Sequence, residues 1–181
     1  SFGGDYMCEV ALPNKEISYV YSKEILSKFE NVIPPAAAIA IQEAIYTMDI
    51  PKLQNKLETF LLQTISFHDA ANETFYHGLI LGFCAMLDNQ YHITSNREAG
   101  NGRFDIQMLP LDVKLPGILI ELKAGKDCTE RQLDELAETA LKQINDRQYH
   151  VEMSARGVKE ILQYGIAFSG KSACVRAEIK M

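Results

Sequence analysis

The sequence predicts an α/β fold in which a mixed sheet is flanked by helices and preceded by a helical N-terminal segment. Three observations lead to this prediction. Apolar residues recur at helical spacing over residues 36–64 and 69–87. The β-branched run Gly117-Ile-Leu-Ile-Glu-Leu-Lys is typical of a central, buried strand. Strand and helix patterns then alternate along the rest of the chain, as they do in sheets covered by helices.

Composition limits the class of protein. The chain has 181 residues, of which 47% are hydrophobic and 23% charged, the proportions of a globular domain. Its uncharged apolar stretches are shorter than the roughly 20 residues that span a bilayer, and no secretory leader is recognised, so we expect neither membrane insertion nor secretion. The four cysteines lack a CxxC pair or zinc spacing, which favours free thiols in a reducing, cytoplasmic compartment. A net charge of −6 argues against binding nucleic acid through bulk positive charge.

Residues 1–66 are predicted to be a helical N-terminal extension, with a boundary near Ser66. A short helix is expected over residues 22–30, followed by helices over residues 36–47 and 52–64. Pro51 suits the first position of the last helix. One face of that helix is apolar and should be buried; it carries Leu53, Leu57, Phe60 and Leu61.

Residues 67–181 are predicted to form the second domain, and its elements follow in order. A helix is expected over residues 69–87, strands over 91–95, 103–109 and 117–123, a long helix over 129–145, and strands over 161–168 and 173–179. Thr129 is a good N-cap for the long helix. The order α-β-β-β-α-β-β predicts a mixed sheet with helices on its faces.

Two adjacent strands carry the candidate catalytic groups. Glu121 and Lys123 are two residues apart and therefore share one face of their strand. The preceding strand holds Asp105, which pairing of the two strands would bring beside Glu121. Two carboxylates and an ammonium group suit a hard divalent cation, with Lys123 orienting or deprotonating an attacking water. Such a site favours phosphate hydrolysis.

An ordinary surface ion pair explains the same three residues, because D…ExK patterns arise by chance in many soluble chains. The neighbours of Glu121 weaken that interpretation. A glutamate within Ile118-Leu-Ile-Glu-Leu must be paired, bound to a metal or protonated. Burial therefore makes Glu121 a candidate for a functional site.

Five sequence blocks occur in a recognisable order: Glu73-Thr-Phe-Tyr-His-Gly, Ser95-Asn-Arg-Glu-Ala-Gly-Asn-Gly-Arg-Phe-Asp, Ile120-Glu-Leu-Lys, Ala140-Leu-Lys-Gln-Ile with Tyr149, and Tyr164-Gly-Ile-Ala-Phe-Ser-Gly-Lys. Together they resemble the PD-(D/E)XK nuclease superfamily, in particular the nuclease-like domain that follows an AAA-type ATPase-like domain in bacterial and archaeal proteins. The resemblance implies a restriction-endonuclease-like core of order α-β-β-β-α-β.

By this resemblance, Asp105 and Glu121 would bind the metal, Mg²⁺ or Mn²⁺, and Lys123 would be the catalytic lysine. The Leu122 carbonyl would add a ligand. Glu73 matches an acid on the first core helix that helps to bind a metal in many members.

The resemblance also assigns residues around the site. Gln143 matches a Gln-Ile motif that borders the active site, and Tyr149 completes the motif. Residue 104 is Phe instead of the eponymous Pro, at a position that varies widely.

Helical spacing, independently of the resemblance, puts His77 one turn after Glu73 on the same face, where it would touch substrate, order Glu73 or serve as a structural histidine. Arg103 lies two residues before Asp105 and is expected on the same strand face, where it would contact a phosphate or pair with Glu98 or another neighbouring acid.

The resulting hypothesis is a metal-dependent nuclease acting on nucleic acid, with DNA as the expected substrate. Two alternatives stay open. One is a catalytically silent accessory module of an ATPase that binds nucleic acid or protein. The other is a homodimer or interaction protein that uses residues 1–66 as its contact surface.

Overall fold

The computed structural model describes residues 35–64, 73–85, 89–95, 98–99 and 102–181. Its helices are α1 (Pro35–Tyr46), α2 (Ile50–Thr64), α3 (Glu73–Ala85), α4 (Glu130–Asp146) and α5 (His150–Ala155). Its strands are β1 (Tyr91–Ser95), β2 (Glu98–Ala99), β3 (Gly102–Arg103), β4 (Ile106–Pro110), β5 (Gly117–Ala124), β6 (Ile161–Ser169) and β7 (Ser172–Lys180).

The main sheet has five strands in the order β1-β4-β5-β6-β7. Strands β5 and β6 are parallel, and the other neighbours are antiparallel. The parallel pair needs a crossover connection, which α4 and α5 provide. A mixed sheet flanked by helices confirms the predicted α/β class and is consistent with a restriction-endonuclease-like core.

Alternation along the central strand sends its side chains into two cores. Ile118, Ile120 and Leu122 join the larger core, which α1, α2 and α3 cover. Leu119 faces the opposite side and packs with residues of α4 and α5. Because Glu121 alternates with Ile120 and Leu122, its side chain lies on the α4 side of the sheet.

Helix α4 begins at a complete capping box. The Thr129 hydroxyl accepts a hydrogen bond from the Gln132 main-chain N–H, and the Gln132 side chain accepts one from the Thr129 N–H. These bonds satisfy main-chain donors that a helix start leaves unpaired. The predicted N-cap at Thr129 is therefore confirmed.

Helix α2 covers one edge of the sheet. Its Glu58 Oε1 accepts a 3.1 Å hydrogen bond from the Ala173 N–H, and its Gln54 Oε1 accepts one of 3.2 Å from the Val175 N–H. The two acceptors are four residues apart and thus lie on one helix face. Outward-facing main-chain donors of edge strand β7 are in this way occupied by side chains.

Several elements differ from the sequence-based prediction. Strand β4 begins at Ile106 and not at residue 103. The Asp105 side chain accepts a hydrogen bond from the Leu122 N–H, and its main-chain carbonyl bonds to His77 and not to a neighbouring strand. The β2–β3 hairpin and α5 were not predicted. The predicted helix over residues 22–30 and the boundary near Ser66 lie outside the described residues, as do the two ends of the predicted helix over 69–87.

Within the described ranges, no helix combines the length and apolar character that crossing a bilayer requires.

Candidate active site

Strand register brings the two candidate acids together. Ile106 on β4 pairs with Ile120 on β5 in an antiparallel ladder. Asp105 directly precedes Ile106 at the start of β4, and its negative charge acts on the Glu121 carboxyl. Lys123 follows on the same face of β5. The two strands thus place both carboxylates and the ammonium group at one position, as the sequence predicted.

Glu121 is almost completely buried, with 2% of its surface exposed. Its Oε1 accepts hydrogen bonds from Lys123 Nζ, at 3.2 Å, and from the Gln143 side-chain amide on α4. Its Oε2 is buried and has no hydrogen-bond partner among the described residues. Oε1 is therefore held by two side-chain donors, whereas Oε2 makes no hydrogen bond of normal geometry, although the Asp105 main chain approaches the carboxyl closely enough to lower its pKa.

Burial raises the pKa of the Glu121 carboxyl to about 7, and the nearby negative charge of Asp105 adds to the rise. The ammonium group of Lys123 acts in the opposite direction but does not cancel these effects. A carboxyl group with a pKa of about 7 exchanges its proton near neutrality, so a bound cation would compete directly with that proton.

Asp105 is fixed by contacts on two sides. Its Oδ2 accepts a 2.8 Å hydrogen bond from the Leu122 N–H, which ties β5 to the start of β4. Its main-chain carbonyl lies 3.2 Å from His77 Nε2, which must donate because a carbonyl only accepts. His77 thus connects α3 to the site.

The N–H and C=O of a strand residue project to the same side of the strand. Because the Leu122 N–H donates to Asp105, the Leu122 carbonyl also faces the Asp105 side.

A close approach of α4 to the sheet carries Gln143 to Glu121. Gly165 on β6 is the register partner of Glu121. A Cβ atom at Gly165 would overlap the Ala137 carbonyl oxygen and the Leu141 main-chain nitrogen of α4. Only a glycine allows this contact between helix backbone and strand.

Tyr149 lies beneath the site and is 1% exposed. Its hydroxyl forms a side-chain hydrogen bond with Gln143. Its ring packs edge-on against Phe104, with centroids 6.0 Å apart. The residue in the eponymous proline position therefore supports the tyrosine of the Gln-Ile motif.

A sequence model of the PD-(D/E)XK nuclease superfamily matches residues 71–178 of the chain. This range contains the five-stranded sheet except for the last two residues of β7, and it covers more than half of the protein. The chain belongs to the PD-(D/E)XK nuclease superfamily. No curated protein matches it. The membership agrees with the observed sheet and indicates a nuclease-like domain.

Superfamily members typically use divalent metals, and the residues present fit such an ion. The unpartnered Glu121 Oε2 is buried beside Asp105, and the Leu122 carbonyl faces the same side. Carboxylate and carbonyl oxygens are the ligands that Mg²⁺ and Mn²⁺ prefer. The donor set of this nuclease-like domain therefore suits a hard divalent cation.

Two predicted site residues belong to other elements, α3 and β3. Glu73 is exposed in the first turn of α3, and within the described residues no three His, Cys, Asp or Glu side chains form a metal-binding group. Arg103 belongs to β3 of the small hairpin and not to the strand that follows Asp105. The expectation that Arg103 and Asp105 share one strand face was wrong, because Asp105 interrupts the ladder.

Gly165 was missed by the sequence analysis, although a signal for it existed. A glycine inside the apolar run of β6 marks a position where another backbone approaches closely.

Proposed function

We propose that this protein is a metal-dependent nuclease that hydrolyses phosphodiester bonds of nucleic acid, with DNA as its substrate and Mg²⁺ or Mn²⁺ as its metal. The observation that carries the proposal is that Glu121 is buried while its Oε2 makes no hydrogen bond of normal geometry to the described residues. A buried carboxylate that keeps one oxygen without a partner is costly, and a cation at that oxygen removes the cost.

The proposed roles of Asp105, Glu121 and Lys123 follow from their contacts, and that of Glu73 follows from the superfamily resemblance. Asp105 and Glu121 hold the metal together with the Leu122 carbonyl, and Glu73 is a further proposed ligand. A divalent cation bound there would act as a Lewis acid on the phosphate. Lys123 Nζ, next to Glu121, orients the attacking water and offsets the negative charge that develops on the phosphate.

Positioning residues surround these groups. Gln143 fixes Glu121 Oε1, which would leave Oε2 to hold the metal. Tyr149 supports Gln143, and His77 holds the main chain at Asp105. Arg103 is retained as a proposed phosphate contact from the hairpin.

A cleavage assay with matched lysine variants tests the proposal. Plasmid, linear and single-stranded DNA are incubated with Mg²⁺ or Mn²⁺, and with EDTA as the metal-free control. We expect Lys123→Ala and Glu121→Ala to abolish cleavage. Lys159→Ala is the control, because this exposed lysine precedes β6 at the opposite end of the sheet from Lys123. Equal cleavage by the Lys123→Ala and wild-type proteins would refute the assigned role of Lys123.

A catalytically silent accessory module is the second candidate. The net charge of −6 favours this candidate over a nuclease, because an acidic protein gains little electrostatic attraction to a nucleic-acid substrate. In that case the protein would bind nucleic acid or a protein partner without metal-dependent turnover, in the service of an ATPase-like domain. If no cleavage is seen, the cleavage assay would be repeated with the ATPase-like domain present. Light scattering would show separately whether the protein is a homodimer.

We also propose a cytoplasmic location. Cys84, Cys128 and Cys174 carry free thiols, which suits a reducing compartment. Localisation of a tagged protein would test this part of the proposal.

A further inference from the structure

The C-terminal end of α4 lies at the rim of the candidate active site. Arg147 is the C-cap residue, and Gln148 follows it with a left-handed φ of 56°. The Gln148 N–H donates to the Asn145 carbonyl at 3.1 Å, and the Tyr149 N–H donates to the Ile144 carbonyl at 3.4 Å. This is a Schellman motif. It turns Tyr149 into the core and leaves the side chain of Arg147 exposed.

Arg147 shares its electrostatic surroundings with both carboxylates. Burial raises the pKa of the Tyr149 hydroxyl, the hydrogen bond from Gln143 lowers it, and the charge of Glu121 raises it. The Arg147 guanidinium lowers the same pKa, and the charge of Asp105 raises it. All three charges act on one hydroxyl group, so Arg147 lies within electrostatic reach of the site.

Helix geometry supports this position. Gln143 and Arg147 are four residues apart, so their side chains differ in direction by only about 40° around the helix axis. Gln143 points at Glu121. Arg147 therefore projects on the site side of α4, one turn nearer to solvent.

A nucleic-acid strand that enters this site meets two carboxylates on a protein of net charge −6. Its phosphates need a fixed cation close to the point of cleavage. A guanidinium group binds a phosphate through two parallel hydrogen bonds and keeps its charge at every relevant pH. We propose that Arg147 binds a backbone phosphate of the substrate strand next to the scissile phosphate. This inference rests on the proposed nuclease function.

Two other basic residues lie near the C-terminal end of α4 in the sequence, and one of them, Lys142, serves as the control. Lys142 is also exposed on α4, but it lies about 140° from Arg147 around the axis. Arg156 is the C-cap residue of α5, a separate helix, and it contacts the Glu152 carboxylate at 2.9 Å. Neither is expected to contact the substrate strand.

The test compares Arg147→Ala, Arg147→Lys and Lys142→Ala in the full chain. Binding of labelled single-stranded and duplex DNA is measured by fluorescence anisotropy in Ca²⁺, over a series of salt concentrations. Cleavage is measured separately in Mg²⁺. We expect Arg147→Ala to raise Kd and KM about tenfold, as for the loss of one charge-assisted phosphate contact, with kcat nearly unchanged. The slope of log K against log salt should fall by about 1.

Arg147→Lys should recover part of the affinity, and Lys142→Ala should leave affinity and slope unchanged. An Arg147→Ala protein with wild-type Kd, KM and salt slope would overturn the inference while leaving the nuclease function intact. Equal losses in Arg147→Ala and Lys142→Ala would also overturn it, because the contact would then be nonspecific. If the wild-type protein neither binds nor cleaves DNA, the proposed function fails and the inference fails with it.

Discussion

Gln143 on α4 donates a side-chain hydrogen bond to Glu121 on β5, and this contact joins the helix to the sheet at the candidate site. Lys123 Nζ reaches the same carboxylate oxygen. Because both donors use Oε1, the charge on Glu121 is only partly compensated. Protonation of the Glu121 carboxyl should therefore change the stability of the protein, and this change can be measured without a substrate.

The stability that Glu121 contributes to the metal-free protein should fall as pH rises towards neutrality. The pKa of Glu121 is raised from 4.5 to about 7, so the folded state binds this proton more tightly than the unfolded chain does. The contribution of Glu121 to stability is thus fully present below pH 4.5 and is lost as pH rises through about 7. The whole effect is on the order of 3 kcal/mol.

Urea denaturation in EDTA at several pH values between about 4.5 and 8 would measure this effect. Glu121→Gln is the matched variant, since it keeps the shape of the side chain but cannot ionise. We expect the wild-type protein to lose stability relative to this variant as pH rises. At the upper pH, Mg²⁺ should restore stability to the wild-type protein only. Parallel pH profiles for the two proteins would contradict the assignment.

Gly165→Ala should separate α4 from the sheet. The added methyl group would overlap backbone atoms of Ala137 and Leu141, which cannot rotate away. We expect a loss of about 1–3 kcal/mol in the free energy of unfolding. Cleavage should fall by about tenfold or more, because Gln143 would no longer be held against Glu121.

Gly78→Ala is the control for this substitution. Gly78 lies inside α3, and a Cβ atom there would meet nothing within 4 Å. Alanine in place of this helical glycine should raise the free energy of unfolding by about 0.5–1 kcal/mol. Thermal unfolding of both variants measures the contrast. Two substitutions of the same size with equal effects would show that the close approach at Gly165 is unimportant.

The turn after α4 supplies a further prediction. Gln148 has a φ of 56°, where a β-branched side chain is strained. Gln148→Val should therefore cost about 1–2 kcal/mol, whereas Gln148→Gly should stay within about 1 kcal/mol of wild type. Urea denaturation distinguishes them. Indistinguishable midpoints for the two variants would mean that the turn adopts another conformation in solution.

Much of the fold was predictable because its elements carry strong local signals. The capping residue Thr129 and the β-branched run of β5 fix their elements from short segments of sequence. The stripe on α2 did so through its spacing, and all four of its residues are buried. Helix α5 escaped prediction because six residues are too few to show a helical period.

The site was predictable in its residues but not in its supports. Asp105, Glu121 and Lys123 are recognisable from residue type and from alternation along a strand. The hydrogen bond from His77 to the Asp105 carbonyl joins residues 28 positions apart, and no local pattern encodes it. The start of β4 was misplaced for a related reason, since Asp105 bonds to Leu122 through its side chain and not through a ladder.

Helix α2 has a consequence for how the protein behaves in concentrated solution. Gln54 and Glu58 occupy main-chain donors of β7 that would otherwise be available to a strand from another molecule. An uncovered strand edge is a template for aggregation. We therefore expect a fragment that starts at residue 67 to self-associate and precipitate, even if its catalytic groups are intact. Shortened versions made for biochemistry or crystallisation should retain α2.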